Sequence, residues 1–393
     1  MKNPSYCGLI ILTLVILGLV INITVILNSQ VLPQLESNNK NLISTKNYLN
    51  KLSEQKKDSD FLTSNNNNLS PIKNLVINEN EKFNTFLQNS QKSDNNLFLE
   101  AKQQQKVFCS EYHPLELENV VLYSNPSKLD FTINVFKTKD IVSQWILEQG
   151  GWEMNEVDSF LRILRLSKHY GANDPTFLDI GSNIGWFSMN VANAGFNVIS
   201  FDAMKKNGHL FRSSLCSNPK IMDKITFFNK GLSETEKTCI VISGNDNLGD
   251  GTIKCLKSNE KFVQTGYSVR ETLNLVRLDE YVRQDIYLLK IDVEGFEAWV
   301  MDGATNLFKN YKVQFLMTEI GIGMMKGSGR DPGEYAKFLI KHGFECSTKD
   351  FIGPYIKFEE GKESEPLQKI VTDTRSDIFN LFCKHKNTKF DIV

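Results

Sequence analysis

The sequence predicts an α/β protein built on a doubly wound, mostly parallel sheet, preceded by a membrane-spanning helix and a disordered stem. Three observations carry this. Apolar runs of strand length around Phe177, Val198, Ile225, Leu288 and Phe315 alternate with segments of helical periodicity, the pattern of successive βαβ units. The stretch Thr176–Ser188 passes from such a run through Gly181 and Gly185 into a helix start, where glycine lets the backbone fold sharply beside unpaired helix N–H groups. Near the amino terminus, Gly8–Leu27 is almost unbrokenly apolar and is followed by a long polar tract.

With 393 residues, 41% hydrophobic content and a formal net charge of −1, the chain can bury a full-sized core, and its charge gives no sign of a nucleic-acid partner. Residues 1–7 read as a short cytosolic tail. Residues 8–27 supply about the 20 residues needed to span hydrocarbon as a helix. Leu27–Val31 offers no small-residue cleavage pattern. Lys2 lies before the span and no base follows it until Lys40, so the segment reads as a signal anchor. That predicts a single-pass type II protein with its globular part in the lumen of the Golgi or endoplasmic reticulum; a cleaved signal is the alternative. Residues 28–105, rich in Asn, Ser, Gln and Lys with the tract Asn65–Asn68, cannot bury enough apolar surface to offset chain entropy and read as a disordered stem. Asn68-Leu69-Ser70 is a glycosylation sequon weakened by Pro71.

Residues 106–393 form the globular domain. Asp140–Glu148 and Asn155–Tyr170 read as a helical layer, whose Asp140, Trp152 and Glu153 either line the cofactor mouth or, as the preferred account, are solvated helix ends. The glycine turn then sorts two nucleotide cofactors. A dinucleotide turn needs no acid before its glycines, whereas here Asp179 precedes Gly181 by two residues and Asn183 stands where a second glycine would be. That carboxylate would repel a pyrophosphate and suits an amino group and a sulfonium. The next strand closes on Asp202, about 20 residues beyond Gly181, where an acid accepts hydrogen bonds from ribose hydroxyls. The cofactor read from these residues is S-adenosylmethionine rather than NAD, held by Asp179, Gly181, Asn183, Gly185 and Asp202. Ser233, after a third strand at Lys224–Gly231, would stand at the adenine edge. A turn that merely links strand to helix is the competing account. Gly244–Thr252 reads either as a substrate-side loop or as a surface hairpin turn.

Ile286–Ile291 is continuously apolar apart from Lys290, as a strand buried on both faces should be. It runs into Asp292, Glu294 and Glu297, then a helix with Val300, Ala304, Leu307 and Phe308 on one face. Acids at the carboxyl end of a central parallel strand lie over the ligand crevice; for Glu297 a helix-capping role is preferred. Val313–Glu319 is a further strand. Asp331-Pro332-Gly333-Glu334 opens a helix that stops at Gly343, and Phe344–Cys346 and Ile378–Cys383 supply two last strands. The seven cysteines are dispersed without a C-x-x-C pair, which speaks against zinc and leaves disulfides unassigned.

Asp179-x-Gly181-Ser182-Asn183-x-Gly185 and Lys290-x-Asp292-x-Glu294-Gly295, with Glu297 two positions on, together resemble the motifs of the FkbM-type methyltransferase family. The resemblance spans roughly residues 140–382. It implies the seven-stranded class I methyltransferase (Rossmann-like) fold, S-adenosylmethionine as methyl donor, and a hydroxyl acceptor, often on a sugar or related metabolite. Phe201-Asp202-Ala203-Met204 departs from the family's usual Phe-Glu-Pro and shortens the reach toward the ribose. Since an alcohol is a poor nucleophile, a base helps. Asp292 and Glu294 are the candidates, with Lys290 and Glu319 behind them and His209 a bystander. A divalent metal on the acids is the less favoured account, as no His or Cys grouping accompanies them. Two rivals remain. A membrane-anchored glycan-binding protein without catalysis would have no need of Asp179, Gly181 and Asp202 together. A nucleotide-dependent dehydrogenase or glycosyltransferase is the other; the latter suits the anchor and stem but lacks a fitting Asp-x-Asp motif.

Overall fold

The computed structural model describes residues 96–111, 119–172, 174–257 and 260–388, all within one of the chain's two units, Leu87–Val393. The expected tail, the apolar run 8–27 and the stem up to residue 95 lie outside the described residues. Among the described residues no helix is long and apolar enough to cross a membrane.

In chain order the strands are β1 Val120–Tyr123, β2 Ile133–Phe136, β3 Thr176–Ile180, β4 Asn197–Phe201, β5 Ile225–Phe228, β6 Gly231–Leu232, β7 Lys237–Gly244, β8 Gly251–Lys254, β9 Tyr267–Val276, β10 Ile286–Ile291, β11 Val313–Gly321, β12 Phe344–Ser347 and β13 Ile378–His385. Seven of them make one sheet in the order β12-β13-β11-β10-β3-β4-β5. All run parallel except β13, which lies antiparallel between β11 and β12. This is the seven-stranded α/β sheet the sequence predicts, strand for strand.

Both faces of the sheet are buried, so its strands read as continuous apolar runs. Phe177 and Leu288 point into one layer of core with Phe160 and Met189 of the flanking helices, while Leu178 and Leu289 point into the other with Val300 and Leu339. The helix expected after Glu294 is two short ones, Glu297–Asp302 and Thr305–Asn310. They part at Gly303, which lies so close to the Ser233 carbonyl that a Cβ would come within 2.2 Å of it.

Two features depart from the sequence reading. Residues 96–111 are helical, although 96–105 read as stem. This helix buries Ala101 and Gln105, sets Phe98 edge-on against Phe228, and is tied to the domain by the Cys109–Cys216 disulfide. A few well-placed contacts outweigh its polar composition. Between β5 and β10, moreover, the chain builds a separate four-stranded sheet, β6-β9-β7-β8. The polar cluster Gly244–Thr252 connects its β7 and β8, which makes it a hairpin turn.

Candidate active site

The strand order reverses between β10 and β3, since β3–β5 succeed one another in one direction and β10–β11 in the other. A crevice opens beyond the carboxyl ends of strands at such a point. The two motifs meet there because β3 and β10 are register neighbours, Asp179 opposite Lys290.

In the glycine turn, Gly181 has φ 80° and Gly185 φ 88°, conformations that favour glycine. A Cβ on Gly185 would enter the Phe211 ring at 2.1 Å, and one on Gly181 would strike the Asp292 carbonyl at 1.7 Å. The turn is held by Gly181 and Ser182 N–H groups donating to the Phe201 carbonyl, both at 2.9 Å. Asn183 takes a left-handed φ of 51° and donates its N–H to Asp202 Oδ2 at 2.8 Å; Met204 N–H donates to Asp202 Oδ1 at 2.9 Å. Asp202 therefore braces the turn as well as lining the crevice. Burial pushes its carboxyl up to about 7 against the pull of these N–H groups.

Asp179 is fully buried. Its Oδ2 accepts from Ser188 at 2.6 Å, and burial raises its carboxyl above the usual range while Lys290 opposes the rise. Lys290, also buried, donates to Asp292 Oδ2 at 3.0 Å and to the Gly181 carbonyl at 3.4 Å. Burial alone would lower it, but Asp292 and Asp179 hold the ammonium above its usual range.

Around this pair stands a cluster of acids. Asp292, Glu294 and Glu319 bring one oxygen each within 4.8 Å of one another, an arrangement that could hold a divalent cation. Burial and its neighbours Asp292 and Glu297 push Glu319 up to about 9. Glu294, at a left-handed φ of 54°, is raised well above its usual value by burial and then by a hydrogen bond to Asp250. Glu297 braces the turn before the helix rather than capping the helix itself: its Oε1 accepts the Val293 and Gly295 N–H groups, each at 3.1 Å, and the helix start has no side-chain cap. The cluster also takes in Glu153, which the sequence reading placed at a solvated helix end. It sits at a left-handed φ of 43°, and burial followed by Asp292 pushes it up to about 7. Asp140 is likewise buried, accepting the Ser143 N–H at 2.8 Å as an N-cap. The preferred solvated reading fails for both because a polar residue at a helix start looks exposed in sequence until the fold closes over it.

Ser233 does not join the site. Its side chain is buried, with the hydroxyl bonded to Glu234, and the crevice wall is made by the residue before it, Leu232, with Ile253, Val293 and Phe296 opposite Gly181 and Asp202. Ile253 comes from the hairpin sheet, a contribution with no motif behind it. The β7–β8 turn is also part of the mouth: Leu248 N–H donates to the Lys139 carbonyl at 2.6 Å, Asn207 to the Gly249 carbonyl at 2.9 Å, and Thr252 to the Glu294 carbonyl at 2.9 Å. His209 packs edge-on against Phe108, away from these groups. A wider cavity of about 390 Å³ beyond the turn is lined by Lys205, Arg270 and Glu271, but Glu271 pairs with Lys205 and the Ser243 and Gly244 carbonyls engage Arg270.

Asp179 Oδ1, Ser182 Oγ and Asn183 Oδ1 are buried without a hydrogen-bond partner. Such orphans in one turn call for a polar ligand, and a ligand with an amino-acid end and a ribose answers them together with Asp202. The crevice and these unpartnered oxygens fit S-adenosylmethionine, the methyl donor of a methyltransferase. The comparison with known families agrees: residues 169–346 match the family model of the methyltransferase FkbM domain. No curated protein matches the chain. Similar solved structures include an rRNA methylase from Streptococcus thermophilus, with 12% identity over 59% of this chain and 94% of that one at a TM-score of 0.32. Another is magnesium protoporphyrin IX methyltransferase from Synechocystis PCC 6803 with bound S-adenosylmethionine, with 11% identity over 63% and 84% at 0.32.

Proposed function

We propose that the chain methylates a hydroxyl oxygen on a sugar, free or within a glycan, or on a related metabolite, and does so in the lumen of the secretory pathway. The observation that carries the chemistry is the acid cluster around Lys290 at the mouth of the cofactor crevice. S-adenosylmethionine, when bound, supplies an electrophilic methyl group. The chain's own residues position the acceptor and handle its proton. Lys290, kept as an ammonium, cannot serve as base; it fixes Asp292 through their 3.0 Å contact. Glu319, pushed up to about 9, holds a proton at neutral pH and can donate a hydrogen bond to an acceptor oxygen, and burial raises Glu294 well above its usual value beside it. Asp292 is then the group that takes the hydroxyl proton. Acids around the mouth and a near-neutral chain disfavour a nucleic-acid acceptor.

The lumenal setting is supported by the cysteines. Cys109–Cys216, Cys239–Cys255 and Cys346–Cys383 are disulfides, which persist in oxidising compartments and are rare in the cytosol. The apolar run 8–27 would provide the anchor. The test is transfer of labelled methyl from S-adenosylmethionine to a panel of glycans by the full chain. Asp292→Asn should lower kcat by about 10²–10⁴-fold with cofactor affinity kept. Turnover unchanged in Asp292→Asn would remove Asp292 as base.

A further inference from the structure

The helix Ile141–Gln149 buries Ser143 and Ile146 and leaves Ile141 and Trp145 outward, Trp145 53% exposed. After the turn at Gly150, Trp152 returns beside it, and the two indoles stand 6.2 Å apart, edge to face at 69°. The mount is firm. Gly150 closes the helix with its N–H on the Ile146 carbonyl, Trp186 Nε1 donates to the Trp152 carbonyl at 2.7 Å, and Asn247 of the hairpin turn accepts the Ile141 N–H at 3.2 Å. An exposed indole set beside a half-buried one that packs on the core is a binding surface rather than a frayed edge.

Two features say what it binds. The pair is continuous with the catalytic cluster, because Trp152 immediately precedes Glu153, whose carboxyl lies close enough to Asp292 and Lys290 to interact with their charges. Its flanks are polar: Gln144, Glu148 and Gln149 are all exposed around Trp145. A ligand for such a surface needs C–H groups to meet the negative π-faces and hydroxyls to meet amides and carboxylates. A pyranose ring offers both. An acyl chain would leave these polar side chains unmatched, and with Lys128 on the carbonyl of Gln149, the residue next to Glu148, the flank carries no one-signed charge to select an ion.

We propose that Trp145 and Trp152 form a stacking platform for a neutral sugar ring of the acceptor, holding it so that a hydroxyl reaches Glu153 and Asp292. This rests on the methyl-transfer reading above and assigns the residues that select its acceptor. The experiment titrates the full chain calorimetrically with three neutral tetrasaccharides, of β-1,4-linked glucose, β-1,4-linked N-acetylglucosamine and α-1,2-linked mannose, beside labelled methyl transfer to each. The expected result is that at least one binds, and that Trp145→Ala weakens it about tenfold or more and raises its KM more than it lowers kcat. Trp145→Phe should restore most of the loss, and S-adenosylmethionine binding within about twofold of wild type certifies the fold. Equal glycan affinity in Trp145→Ala, or no binding of any of the three by the wild type, overturns the platform. Glycan binding through Trp145 with no methyl transferred would uphold the platform and sink the transfer reading, whereas transfer with an unaltered KM in Trp145→Ala would do the reverse.

Discussion

Burying an ammonium costs several kcal/mol unless carboxylates meet it, and Lys290 is met by Asp292 and by Asp179 across the sheet. For the acids beyond that pair, burial outweighs the N–H groups and the Lys290 charge that would hold them down. Glu153, Asp202 and Glu297 rise to about 7 and Glu319 to about 9, all above their unfolded values of 4.5, 3.8, 4.5 and 4.5. The folded state therefore binds more protons than the unfolded one through this range. Its stability contribution from these groups is complete below about pH 4 and is lost as pH rises through 7 to 9. Thermal denaturation of the cofactor-free chain should show Tm falling from pH 6 to pH 9. Glu319→Gln, which cannot ionise, should flatten the upper part of that fall; an identical slope in the variant would contradict it. Asp179, Gly181, Gly185 and Asp292 were legible in the sequence because their roles depend on fixed spacing along one turn. Glu153 was not, since its place depends on a left-handed backbone and a partner strand far along the chain.

At the scale of elements, the turn after β10 and the β7–β8 hairpin close on each other through Thr252 and Asp250, and both contribute acids to one cluster. Protons and a divalent cation would compete for the same oxygens, and Lys290 already supplies positive charge to Asp292. We therefore expect turnover to be insensitive to EDTA; loss of activity restored by Mg²⁺ would instead assign the cluster to a cation. The hairpin sheet itself was hidden in the sequence. Its β9, Tyr267–Val276, does alternate, with Leu273 and Leu275 on one side, but half its positions are polar and no strong turn signal sets it apart. The signal was present and weak.

For the whole molecule, the strands β3, β4, β5, β10 and β11 were legible because each is buried almost throughout and so writes a mostly apolar run, while β12 and β13 carry exposed positions such as Glu345 and Ile378. The amino-terminal helix at residues 96–111 was not, because its attachment lies in Cys109–Cys216 and a handful of side chains rather than in its pattern. That disulfide closes a separation of 107 residues. Replacing both cysteines by serine should lower stability to denaturant by about 4–5 kcal/mol, whereas an unchanged midpoint would mean the bond is not formed in solution. The central claim is that the glycine turn and Asp179 bind S-adenosylmethionine, and calorimetric titration of the full chain beside its Asp179→Ala variant tests it most directly. The account predicts saturable binding by the wild type that is lost in a variant retaining its far-ultraviolet circular dichroism. A folded wild-type chain that fails to bind, or a variant that binds equally well, would contradict it.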